Sequence, residues 1–184
     1  MRTILAVCFA NTCRSPVMES MLRAQLGSEG FEIASVGLMG GSGEIPDTLR
    51  QVLEDLNIDL SLPVGKVANT TNYLEADLIV FADRGLLREA VVQNPSLWGK
   101  SYTLKEFARL AYLNPPAPQA ETFSEWISEV GAHRTKLELS GSDVFDDVAD
   151  PGLRGSREDF MVMCDTISDS VAKISDQLLI WSSK

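Results

Sequence analysis

The chain has 184 residues, 45% of them hydrophobic, which suits one well-buried globular domain over 1–184 and is too short for two comfortable ones. A formal net charge of −10 leaves no basic excess to neutralise backbone phosphates, so nonspecific nucleic-acid binding is not expected. No stretch approaches a membrane span and the opening apolar run is too short for a secretory signal, so a cytoplasmic protein without a membrane partner is expected.

Thr3-Ile4-Leu5-Ala6-Val7 is an apolar run of strand length, and Pro16 sits where a proline opens a helix that runs to Gly27. Between them lie Cys8, Phe9, Ala10, Asn11, Thr12, Cys13, Arg14 and Ser15, a tight strand-to-helix loop. Such a turn gathers backbone N–H groups at the positive end of a helix dipole and is a natural seat for phosphate. Cys8 lies at its base, where the same amides and the Arg14 guanidinium favour a thiolate; the planar fork of Arg14 also suits two phosphate oxygens. An anion seat with a nucleophile at its floor points to phosphoryl transfer.

Downstream, Phe31 to Val36 reads as a second strand, followed by a glycine-rich turn from Gly37 to Gly43. Asp47 begins a helix with Leu49, Val52, Leu53 and Leu56 on one face, and Asn69-Thr70-Thr71 caps a short helix through Ala76. Leu78-Ile79-Val80-Phe81 is the unbroken apolar run of a strand covered on both faces. Asp83-Arg84 opens the next helix, read as an acid favourable to the dipole and a solvated arginine, and Tyr102-Thr103-Leu104 forms a short fourth strand.

A helix carrying Phe107, Leu110 and Ala111 is expected to stop at Asn114, before the stiff connection Pro115-Pro116-Ala117-Pro118; another helix is expected from Thr122 to Leu137. Residues from about 105 to 140 read as a helical elaboration on the body, with His133 solvated on its surface. Asp143 to Pro151 is an acidic loop, and Ser156 to Trp181 a long helix with a capping-box-like start at Ser156 and Asp159 and with Cys164 in its apolar stripe. The alternation of strands and helices predicts an α/β fold: three layers, α/β/α, around a four-stranded parallel sheet with the anion-binding loop after strand 1. In such a sheet the ligand sits beyond the carboxyl ends of the strands, where that loop lies.

The nonamer Cys8 to Pro16 resembles the Cys-x-Gly-Asn-x-Cys-Arg-Ser-Pro signature of the low-molecular-weight protein tyrosine phosphatases, with Ala10 at the usual glycine; Glu19 continues the likeness. Ser35-Val36-Gly37, Asn57-Ile58-Asp59-Leu60-Ser61, Asp83-Arg84 and Asp150-Pro151 resemble further stretches of that family. The resemblance implies Cys8 as nucleophile, Arg14 as phosphate ligand and Asp150 as general acid and then base. It also implies that Asn11 and Ser15 support the loop and that Cys13 protects an oxidised Cys8, with a phosphorylated protein as substrate and no cofactor; Cys13 as a plain packing residue stays open. The cysteine spacing matches no convincing metal site.

Two departures bear on this reading: Ala10 strains the loop if its position needs positive φ, and Asp150-Pro151 is followed by Gly152-Leu153 where aromatic residues are usual. The expected cleft walls are Leu38, Met39, Gly152 and Leu153. Thr12 matches the threonine of the protein arginine phosphatases, which this loop also resembles, so phosphoarginine is the alternative substrate to phosphotyrosine. Arsenate reductases share the fold and loop but need two further cysteines after the third strand, and residues 82–100 contain none.

Overall fold

The central strand β1 (Arg2–Cys8) is apolar through Ile4, Leu5, Ala6 and Val7 because it is flanked on both edges and covered on both faces; all four side chains are buried. The computed structural model describes residues 1–27, 30–41, 43–60, 63–116, 122–140 and 145–183. Expectations for Ser61, Ala117, Pro118, Asp143 and Val144 lie outside the described residues.

After β1 the chain forms α1 (Arg14–Leu26), β2 (Phe31–Gly37), α2 (Asp47–Asp55), α3 (Thr70–Glu75), β3 (Leu78–Phe81) and α4 (Arg84–Gln93). A 3₁₀ turn (Pro95–Lys100) leads to β4 (Ser101–Thr103), α5 (Leu104–Leu113), α6 (Phe123–Val130), a second 3₁₀ turn (Lys136–Ser140) and α7 (Arg157–Ser182). The sheet is parallel throughout in the order β2-β1-β3-β4, as the sequence predicts. Right-handed crossovers in opposite directions place α1, between β1 and β2, and α4, between β3 and β4, on opposite faces. Helix α7 packs over α1 and α5, closing the core with Phe160, Met163, Cys164, Ile167, Val171, Ile174 and Leu178, all buried.

Three of the boundaries that differ from expectation have a physical cause in the structure. Helix α1 begins at Arg14, two residues before Pro16, and the proline is tolerated there because the N–H it lacks would have no intrahelical partner within the first turn. Thr103 and Glu106 form a capping box that starts α5 at Leu104, so β4 ends one residue early. Helix α6 stops at Val130 rather than Leu137: a Cβ at Gly131 would lie 2.6 Å from the Tyr102 hydroxyl, and Arg134 turns inward to donate to Ser101 O at 2.7 Å and Trp98 O at 2.8 Å. His133 is exposed on the turn that follows. Helix α6 is fixed to the end of α7 by Trp126 stacked on Trp181, centroids 5.9 Å apart and planes 3° from parallel.

Candidate active site

Cys8 ends β1 opposite Gly37 of β2, and this register places the glycine turn against the loop. A Cβ at Gly37 would lie 2.7 Å from Ala10 C and Asn11 N, so only glycine admits the loop backbone there. The loop carbonyls are tied outward: Leu38 N donates to Cys8 O at 2.9 Å, Met39 N to Phe9 O at 2.8 Å and Gly65 N to Asn11 O at 2.8 Å. The Cys8 sulfur accepts from Asn11 N at 3.2 Å and from the Ser15 hydroxyl at 3.0 Å, which fixes it from two directions.

Asn11, not Ala10, takes the positive φ of this loop, at 52°, a conformation asparagine tolerates far better than alanine. The strain expected at Ala10 is therefore absent. Asn11 is fully buried and holds the loop with its amide: Nδ2 donates to Ser15 Oγ at 3.1 Å and Ser35 Oγ at 2.8 Å, while Oδ1 accepts from Lys66 N at 2.9 Å. Ser35 Oγ donates in turn to Glu19 Oε2 at 2.6 Å, and the buried Glu19 carboxylate is paired with Arg23 at 3.0 Å and Lys66 at 3.3 Å. The family resemblance implied supporting roles for Asn11 and Ser15; Ser35 and Glu19 belonged to that resemblance with no role attached, and Lys66 carried no signal.

Arg14, almost wholly buried, bridges two carboxylates from distant segments, Nη1 lying 2.8 Å from Asp83 Oδ2 and Nη2 2.5 Å from Asp150 Oδ2. Nη1 also donates to Val148 O at 3.3 Å. Asp83 does more than the dipole-favouring role expected of it, accepting from Leu86 N at 2.9 Å as the cap of α4 while pairing with Arg14. Arg84 is not solvated: it is buried, 2.7 Å from Asp146.

These groups surround a cleft of about 240 Å³ lined by Cys8, Phe9, Ala10, Thr12, Cys13, Arg14, Gly41, Asp150, Gly152 and Leu153. The walls are thus partly as expected. Gly152 and Leu153 line it, but Leu38 and Met39 turn to a neighbouring groove, since their amides pair with the Cys8 and Phe9 carbonyls and carry them past the loop. Phe9, half exposed, supplies an aromatic ring to the wall that the sequence reading assigned only to the loop.

Residues 3–137 match the family model described as low molecular weight phosphotyrosine protein phosphatase. The chain belongs to this family. A probable low molecular weight protein-tyrosine-phosphatase EpsP of Ralstonia nicotianae is 28% identical over 129 residues, covering 70% of this chain and 88% of that protein. The phosphatase Ptp of Acinetobacter johnsonii is 31% identical over 104 residues, 56% of this chain and 72% of the other. In fold, the chain is similar to the YwlE arginine phosphatase from Geobacillus stearothermophilus (TM-score 0.70, 22% identity, 98% of this chain and 94% of that one). It is also similar to the Erwinia amylovora tyrosine phosphatase amsI (TM-score 0.66, 24% identity, 95% and 91%).

The chain is accordingly a cysteine-dependent phosphatase of the low molecular weight family, and the family match runs through α5 and α6, into the segment read from the sequence as a helical elaboration. All three of its cysteines are free and buried. Cys13 lines the cleft, its thiol donating to Thr12 Oγ1 at 3.8 Å; burial pushes it up to about 11, with the charges of Asp150 and Cys8 adding and the Thr12 contact and Arg14 opposing. Cys164 lies in the core of α7, as the sequence predicts, and burial likewise pushes its thiol up to about 11. Among the described residues no cluster of three or more metal-ligating side chains occurs, and no helix is long and apolar enough to cross a membrane.

Proposed function

We propose that Cys8, Arg14 and Asp150 carry out phosphomonoester hydrolysis on phosphotyrosine proteins through a phosphocysteine intermediate. The observation that supports this most directly is their convergence: the Cys8 sulfur, the Arg14 fork and the Asp150 carboxylate line one small cleft although they lie as far apart as residues 8 and 150 in the chain. The Cys8 thiolate attacks phosphorus in line with the leaving oxygen, forming the S–P bond as the P–O bond breaks. The loop amides and Arg14 hold the equatorial oxygens as charge moves. Asp150, released from Arg14 when the phosphate takes the guanidinium, takes up a proton from solvent and gives it to the leaving oxygen; as carboxylate it then takes a proton from the water that breaks the S–P bond.

Asn11 and Ser15 keep the loop in shape and the sulfur in line, and Cys13 stands ready to pair with an oxidised Cys8. The reading includes a single phosphatase domain over 1–184, acting in a bacterial cytoplasm, which suits three free thiols and the bacterial relatives. Phosphoarginine is the second reading, carried by Thr12, whose buried side chain forms part of the cleft wall.

The test is rapid-quench mass spectrometry during turnover of a phosphotyrosine peptide. A phosphoryl adduct on Cys8 is expected; turnover retained in Cys8→Ser, or an adduct elsewhere, overturns the mechanism.

A further inference from the structure

The segment that delivers Asp150 to the cleft carries a buried charge of its own. Asp146 is 5% exposed, and its Oδ2 lies 2.7 Å from Arg84 Nη2 and 3.1 Å from Arg109 Nη2. Arg84 reaches on to Glu106 of α5 at 3.8 Å, and Arg134 closes on Glu106 at 3.4 Å. The next two residues are fastened as well. Asp147 Oδ1 accepts from Arg84 N at 2.8 Å and its carbonyl from Lys105 Nζ at 3.2 Å, while Val148 N donates to Ala82 O at 2.8 Å. From Val148 the chain runs two residues to Asp150, a reach of at most about 7 Å.

A buried ion pair is weak evidence for stability, because desolvation offsets much of the Coulombic gain. What it supplies is direction, since two guanidinium groups donating to one carboxylate from α4 and α5 leave it few orientations. Arg84 sits on the first turn of α4, immediately after Asp83, which holds Arg14 from the other side. The same helix end therefore sets both the Arg14 fork and the segment that carries Asp150.

We infer that Asp146, gripped by Arg84 and Arg109, is a positioning residue that sets the aim of Asp150 at the leaving oxygen. This rests on the reading of Asp150 as the general acid. A positioned acid contributes about 10²–10⁴-fold, so loosening its aim costs part of that.

The test compares kcat and KM for alkyl phosphates and for activated aryl phosphates in Asp146→Asn, Asp150→Asn and the double variant. Asp146→Asn is expected to lower kcat/KM on alkyl phosphates roughly tenfold, with about twofold or less on activated aryl phosphates, because kcat/KM reports the step in which the leaving oxygen departs and not the S–P hydrolysis common to both. The double variant should be no slower than Asp150→Asn alone, because a misaimed acid and an absent one cannot both be lost. Arg109→Gln, which removes a half-exposed grip on the same carboxylate, is expected to show a smaller loss with the same selectivity, and decides the matter if Asp146→Asn does not fold. A loss from Asp146→Asn, or from Arg109→Gln in its place, that is equal across leaving groups or additive with Asp150→Asn overturns the positioning role alone. A flat profile for Asp150→Asn itself removes the acid and, with it, the positioning.

Discussion

Arg14 and Asp150, 136 residues apart, form an ion pair across the cleft with Nη2 2.5 Å from Oδ2, while the other arm of the same guanidinium holds Asp83 at 2.8 Å. The fork is thus held by two carboxylates, one on each arm. A lysine ammonium is a compact point charge without the planar fork that presents two donors in fixed geometry. Arg14→Lys is expected to lose at least one charged hydrogen bond to phosphate, about 1.5–3 kcal/mol or roughly a 10- to 100-fold fall in kcat/KM, together with weaker vanadate inhibition. Vanadate inhibition at wild-type strength in this variant would remove Arg14 from the anion seat.

Gly41, like Gly37, lies against the loop at Ala10. A Cβ there would lie 2.4 Å from Ala10 O and 2.6 Å from Thr12 Cγ2, and the first of these is backbone. Gly41→Ala is expected to push the loop off the cleft floor and destabilise the protein by about 1–3 kcal/mol, read as a lower Tm and a lower kcat. Ala10→Gly should not restore either, because the carbonyl is the closer obstacle.

Periodicity made most of the frame legible, and for a physical reason: β1, β3 and α7 are buried along whole faces, so their apolar spacing is imposed by contact. Cys8, Arg14 and Asn11 were legible because one short loop holds them. Asp146 and Arg84 were not. A charge in a polar stretch reads as solvated, and only a partner 62 residues away turns it inward. Phe9 was missed as a wall for a related reason, since its exposure depends on how the loop carbonyls are drawn outward by residues 38, 39 and 65. The early end of α6 was set by Arg134 finding Trp98 and Tyr102, which no local pattern announces.

Cys13 and Cys8 share the cleft, and Cys13 is held as a thiol at neutral pH by the burial that pushes it up to about 11. Peroxide is expected to convert Cys8 to the sulfenic acid, which condenses with the Cys13 thiol, releasing water and forming a disulfide. Thiol reductant should then restore wild type, and Cys13→Ser should be inactivated irreversibly. Because the attacking species is the thiolate, protection of wild type should strengthen as pH rises from 7 towards 9. Equal recovery of both proteins would make Cys13 a packing residue.

Cys13 and Cys164 are pushed up to about 11, and Tyr73 and Tyr102 to about 12, in each case chiefly by burial. Each group has a folded pKa above its unfolded one, so its contribution to stability is complete below the unfolded value and is lost as pH rises through the folded one. Tm is expected to hold level from pH 7 to about 8.5 and to fall from there towards pH 11, with each cysteine worth roughly 2–3 kcal/mol once ionised in the unfolded chain. Cys164→Ala, though less stable at neutral pH, should show the shallower fall. A Tm that rises over the same interval would contradict the burial of these groups.

Substrate choice turns on two residues of one wall. Phe9 offers a half-exposed ring on which a phosphotyrosine ring can stack, worth about 0.5–1.5 kcal/mol beyond area burial. Thr12, buried in the same cleft, offers a small β-branched wall whose hydroxyl already accepts from the Cys13 thiol, and a polar phosphoramidate is tolerated beside it. The aromatic wall favours phosphotyrosine. Phe9→Ala is expected to raise KM for phosphotyrosine peptides by about 3- to 10-fold with kcat nearly unchanged, since stacking acts equally on substrate and transition state. For phosphoarginine peptides the same substitution should change little. If wild type turns over phosphoarginine peptides with the higher kcat/KM, and Thr12→Ile reverses that order, then Thr12 and not Phe9 sets specificity and the chain is an arginine phosphatase.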